Sequence, residues 1–132
     1  MDMGTPRLLL LAPTTTYRTE DFLRAAAALL VEVILATDRC HVLAQEFSEA
    51  ATGSVAVELR PPERAVEALC ALHRQRPFSA IVPVDDATAV IAAEVASRLG
   101  LRANPKEAAD AARNKALLRQ QLAQAGVPQP RY

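Results

Sequence analysis

Tryptophan is absent from the chain, and three Phe with two Tyr supply only 4% of its 132 residues. That is too few rings for the stacking platforms on which single-stranded nucleic acid is held. Neither sign of charge is in excess. Fifteen Lys and Arg balance fifteen Asp and Glu, so the basic surplus of a phosphate-backbone binder is missing. Long hydrophobic runs are missing too. The longest, Ala25 to Val31, is ended by Glu32, far short of the roughly 20 residues a membrane span needs. The Leu8 to Ala12 run after Arg7 is too short for a secretory core and meets Pro13 at once. Cysteine is limited to Cys40 and Cys70, which lack any framework spacing. This reads as free thiols in a cytoplasmic protein with no membrane and no nucleic-acid partner.

What is present is an ordinary globular composition, 51% apolar and 23% charged, which excludes intrinsic disorder. A chain of this length buries roughly two-thirds of its unfolded surface and needs no disulfide or metal staple. The pattern of elements is legible. Arg7 to Ala12 is wholly apolar between Pro6 and Pro13, the mark of a strand buried on both faces. Thr19 is expected to cap a helix with Glu20 and Asp21 in its first turn and Phe22, Ala26, Leu29 and Leu30 inward. Val31 to Ala36 reads as a second strand, although no glycine marks the turn before it. Between Thr37 and Gly53 the pattern is irregular, with a short helix near Leu43 to Glu49. Ser54 to Arg60 alternates Val55, Val57 and Leu59 with Ser54, Ala56 and Glu58, as a half-exposed edge strand does.

Pro61 and Pro62 open a second main helix. Val66, Leu69, Cys70 and His73 form its inward stripe, with Pro77 beyond its end. Ser79 to Val84 is a fourth strand. A helix over Ala87 to Leu99 turns Val90, Ile91, Val95 and Leu99 inward and stops at Gly100. Leu101 to Ala103 allows at most a short fifth strand. Lys106 to Ala109 allows a helical turn, and Asp110 to Gln124 a longer helix stopped by Gly126. This alternation is the grammar of an open, mostly parallel α/β sheet. The expected order is 3-2-1-4, with helices on both faces. Residues 1–104 are expected to form the domain, and 105–132 a linker helix.

Ligands of such sheets bind beyond the carboxyl ends of the strands. The loop after the first strand carries Thr14, Thr15, Thr16, Tyr17 and Arg18 and no glycine. Neither the G-x-G-x-x-G fingerprint nor a P-loop is present. Thr15, Thr16, Tyr17, Arg18 and Asp85 are expected to border one substrate cleft. Asp86 is expected to cap the helix that follows, and two adjacent carboxylates alone make a poor magnesium site. Cys40-His41 and Cys70-x-x-His73 lie in different elements and lack zinc spacing; Cys70 and His73 read as core. No metal-binding residue and no catalytic nucleophile is assigned.

The C-terminal segment is more telling. Asn104-Pro105 is followed by Ala111-Ala112-Arg113-Asn114-Lys115, Arg119 and Gly126-Val127-Pro128. This resembles the junction of ATP-grasp ligases, where a Rossmann-like domain ends in an Asn/Ser-Pro turn. A helix with an Arg/Gly-Asp/Asn-Lys triplet and an Ala-Gly-Val/Ile-Pro segment then follow. Leu8 to Leu11, Thr14 to Phe22, Val31 to Asp38 and Val82-Pro-Val-Asp-Asp86 are similar to N-terminal domains of this family, many labelled phosphoribosylglycinamide synthetase-like. Asn114 stands where family members often have Asp. The resemblance spans nearly the whole chain but not the ATP-grasp fold proper, so the chain is expected to be an N-terminal piece of a longer enzyme, inactive by itself.

The resemblance implies ATP and Mg²⁺ as cofactors of the full-length enzyme, neither held firmly by this chain. It implies a carboxylate and an amine as substrates, joined through an acyl phosphate, with the missing C-terminal ATP-grasp domain as partner. It implies that Lys115 touches nucleotide phosphate, with Arg119 beside it on the same helix face. A homodimer is left open. The alternative is a stand-alone flavodoxin-like or receiver-like binding module using Asp85 or Asp38.

Overall fold

The computed structural model describes residues 5–13, 18–38 and 53–131. Strands β1 (Arg7–Leu11), β2 (Glu32–Thr37), β3 (Gly53–Ala56) and β4 (Ala80–Pro83) form one parallel sheet in the order β3-β2-β1-β4. The expected order holds, and the reason is visible in β1. Leu9 lies opposite both Ile34 and Ile81. Leu9 and Leu11 enter one core cluster, while Leu8 and Leu10 enter another on the opposite face. A strand buried on both sides has no polar face to alternate with.

Helix α1 (Thr19–Ala28) covers one face, and α2 (Pro62–Gln75) and α3 (Asp86–Leu99) cover the other. The α2 and α3 side holds the larger core, where Ala65, Val66, Leu69, Ile91, Val95 and Ala96 meet Leu9, Leu11, Ile34 and Ile81. The edge strand is shorter than its alternation. Val57 is buried between exposed Ala56 and Glu58, but its N–H donates to the Thr37 carbonyl at 2.8 Å, where β2 ends. Among the described residues no strand continues beyond that point for it to pair with. Leu101 to Ala103 adds no strand, because the Leu101 N–H turns back to the Ala96 carbonyl at 2.8 Å.

The inward stripe expected for α1 is corrected. Leu23 and Ala26 are buried and Phe22 is half-buried, but Leu29 and Leu30 are 73% and 80% exposed. The helix ends at Ala28, so neither leucine lies on its face. Its terminus is a Schellman turn. The Val31 N–H reaches the Ala26 carbonyl and the Leu30 N–H the Ala27 carbonyl, with Leu30 at φ 55°. The ends of α3 and of the last helix repeat these bonds with Gly100 (φ 67°) and Gly126 (φ 69°) in the left-handed position. Leucine there is strained by about 1–2 kcal/mol, and its exposure offers little burial in return. Leu30→Gly is therefore expected to stabilise the chain by about 0.5–1 kcal/mol after glycine's larger unfolded-state entropy is subtracted. Urea unfolding checks this, and an unchanged or lower midpoint would contradict it.

The long helix expected over Asp110 to Gln124 is two helices, α4 (Lys106–Arg113) and α5 (Lys115–Gln124). Asn114 breaks the run. Its backbone is extended, and its side-chain oxygen accepts from the Ala116 and Leu117 N–H groups, both at 3.1 Å. Asparagine and aspartate are equally good at this N-cap. Ala111 is buried, and Glu94 of α3 binds Arg98 at 2.9 Å and Lys106 of α4 at 3.4 Å. The hydrogen bonds from Arg98 and Lys106 hold the Glu94 carboxyl below the usual glutamate range.

Candidate functional site

In a parallel sheet every helix that follows a strand begins at the strand's carboxyl end, so the loops there share one edge. The link between β4 and α3 is the most tightly built. Asp85, not Asp86, is the N-cap of α3. Its carboxylate accepts from the Thr88 N–H at 3.0 Å and lies 3.0 Å from the Thr88 hydroxyl. That hydroxyl is also 3.2 Å from the Asp85 carbonyl and 3.4 Å from the Leu11 carbonyl. Thr88 is 1% exposed, so this single side chain ties the end of β1 to the start of α3. The expectation for Asp86 shifts by one residue, because the capping residue must keep extended backbone angles and Asp85 does, at φ −145° and ψ 174°. Asp-x-x-Thr over 85–88 was the sequence signal for Thr88.

The first helix also differs from expectation. Arg18 holds the N-cap position of α1 without a side-chain cap bond, and Thr19 is its buried first residue.

Across the same edge, on the α2 and α3 side, lies a cavity of about 840 Å³. Pro13 follows β1, Asp38 follows β2, Val57 to Arg60 follow β3, and Thr88 and Ile91 belong to α3; all line it. Arg113 closes it from the end of α4. Val57 and Ile91 make its apolar floor, and Asp38, Glu58, Arg60 and Arg113 its charged margin. Glu58 is engaged by Arg64 at 3.4 Å, and Asp38 also interacts within the chain. Sequence reading did not join Glu58, Arg60 and Arg113 to a cleft, because their proximity depends on how α4 folds back on α3.

Arg18 and Asp85 stand at the carboxyl ends of the adjacent strands β1 and β4, but neither lines this cavity. Arg18 opens the helix on the opposite face. Thr15, Thr16 and Tyr17 lie outside the described residues, as do Cys40, His41 and the helix expected at Leu43 to Glu49. Cys70 and His73 are half-buried on α2, as their stripe implied. Burial pushes the Cys70 thiol up against the pull of Arg98 and Arg74. Lys115 is exposed in the first turn of α5. Arg119 is half-buried. Its guanidinium donates to the Pro130 carbonyl at 3.3 Å, and its own carbonyl accepts from Gln129 at 2.8 Å.

Asp85 thus has a structural duty that can be separated from any contact with ligand. Asp85→Ala should cost about 0.5–2 kcal/mol of stability, and Asp85→Asn should recover most of it. Thermal unfolding of the two variants checks this; equal losses would mean that the charge, and not the cap, matters.

A family model described as the ATP-grasp N-terminal domain matches residues 23–102. Among solved structures the chain is similar to an L-amino acid ligase from Bacillus licheniformis. The TM-score is 0.78 at 20% identity, over 96% of this chain and 32% of that one. It is also similar to a phosphoribosylglycinamide synthetase from Anaerococcus prevotii, with a TM-score of 0.75 at 18% identity, over 97% and 31%. At these identities the likeness is one of fold, and the chain spans about a third of each of those proteins. No curated protein matches it.

Proposed function

This chain belongs to the ATP-grasp N-terminal domain family, and from that premise we propose that it is the substrate-side domain of an ATP-dependent ligase about three times its length. The reaction is the two-step one of that family. A carboxylate oxygen attacks the γ-phosphorus of ATP and ADP leaves. An amine nitrogen then attacks the acyl carbon of the acyl phosphate, phosphate leaves, and the amine gives up a proton. The observation that carries the reading is the family match over 23–102, set on a sheet whose carboxyl edge opens into a cleft with both apolar and charged walls.

The contribution of this chain is to hold and orient. Positioning a substrate against an activated partner removes much of the entropic barrier to a two-substrate reaction. The cleft supplies an apolar floor from Val57 and Ile91 for the body of a substrate and charged side chains for its ends. The ATP and Mg²⁺ of the reaction are assigned to the adjoining ATP-grasp domain; among the described residues no three His, Cys, Asp or Glu side chains form a group that could hold a metal ion. No helix of the described residues is long and apolar enough to cross a membrane.

Joined to an ATP-grasp domain through the reading frame beyond Tyr132, the protein should release phosphate from ATP only when a carboxylate and an amine are both supplied. The 132-residue chain alone should release none. Metal-dependent ATP turnover by the purified short chain, or a downstream reading frame without an ATP-grasp domain, would overturn the proposal.

A further inference from the structure

The geometry points to an oxyanion receptor in the cleft: Arg60 and Arg113 together bind a carboxylate or phosphate group of the substrate. This rests on the reading of the cleft as the substrate site and names the chemistry it selects. Both arginines are exposed and line the same cavity of about 840 Å³. Among the described residues neither side chain has a hydrogen-bond or ion-pair partner, although carboxylates are close in sequence. Glu58, two residues before Arg60, is engaged by Arg64. Asp110, one helical turn before Arg113 on α4, forms no ion pair with it. Arg24, Arg64 and Arg98, by contrast, each find a carboxylate within six residues.

Two arginines without an ionic partner among the lining residues of one concave site leave it attractive to anions, since Glu58 and Asp38 already interact within the chain. A guanidinium fork matches an oxyanion through two parallel N–H donors, which a lysine would not reproduce. Arg60 is carried by the β3–α2 connection and Arg113 by the end of α4. An anion bound by both would also fasten α4 to the sheet edge. Arg113 is followed directly by Asn114, the cap of α5, and by Lys115. Occupancy of the cleft is thereby linked to where the first turn of α5 sits.

The test is NMR of the 132-residue chain with labelled arginine, following the Nε–Hε signals during titration with inorganic phosphate and, separately, with succinate. Ionic strength is held constant with chloride. Arg60 and Arg113 should shift together and saturate with one dissociation constant, while the exposed Arg102 and Arg131 do not. Saturation by phosphate alone identifies a phosphate ligand, and saturation by succinate alone a carboxylate. Arg60→Gln and Arg113→Gln, both at exposed positions, should each weaken binding by tenfold or more without changing the fold seen in the amide spectrum. No saturation with either probe, equal shifts at Arg102 and Arg131, or unchanged affinity in both variants would overturn the proposal. The assay needs no ligation activity. Silent arginines in an active ligase would therefore sink the receptor alone, whereas a lack of ATP-dependent ligation would sink the functional reading whatever the arginines bind.

Discussion

Lys115→Ala in the proposed full-length ligase should reduce the efficiency of ATP use by tenfold or more. A charge-assisted contact to phosphate is worth about 1.5–3 kcal/mol, and each 1.4 kcal/mol is a factor of ten. Lys115 sits in the first turn of α5, exposed, beside the Asn114 cap. Its neighbour Arg119 is occupied by the Pro130 carbonyl. From the resemblance of Arg113-Asn114-Lys115 to the family's triplet, we propose that this exposed ammonium meets the phosphate of a nucleotide bound by the ATP-grasp domain. The same substitution should barely change the unfolding midpoint of the 132-residue chain, since alanine is the better helix former and Lys115 has little buried surface to lose. Steady-state kinetics against ATP concentration decide the matter, and unaltered kinetics would make Lys115 an ordinary surface lysine.

Leu9→Ala should cost about 2–5 kcal/mol, against a whole-domain stability of about 5–15 kcal/mol. Leu9 is fully buried in β1, between β2 and β4 and beneath α2 and α3. Removing its side chain leaves a cavity in the larger of the two cores. The chemically identical change Leu29→Ala should fall within about 0.5 kcal/mol of the parent, because Leu29 is 73% exposed at the end of α1. Paired denaturant melts measure the contrast. Similar losses at both positions would mean that Leu29 is covered in solution, and that the stripe read from the sequence has a partner after all.

That pair of leucines marks where sequence reading gave way to tertiary structure. Apolar continuity in Leu8 to Leu11 and alternation in Ser54 to Arg60 placed β1 in the centre and β3 at the edge, since burial on two faces or one writes itself directly into residue type. Pro62 at the start of α2, and Gly100 and Gly126 at helix ends, were equally plain, because backbone restrictions are local. The end of α1 was not, because Leu30 fills a left-handed position that glycine normally announces. Asp85 against Asp86 was decided by which residue stayed extended. The break at Asn114 depended on a side chain replacing backbone bonds within a run of good helix formers.

The resemblance in the C-terminal segment pointed to the family before any fold was in view, since its turn, triplet and stop are contiguous in the chain. The cleft could not be found that way. Its margin joins Asp38, Arg60 and Arg113 from the end of β2, the β3–α2 connection and the end of α4. Those positions meet because the strands are parallel and α4 is held to α3 by Ala111 and by the Glu94–Lys106 pair. Local pattern fixes which face of an element is apolar; only the packing of several such faces decides which distant charges come to share one pocket.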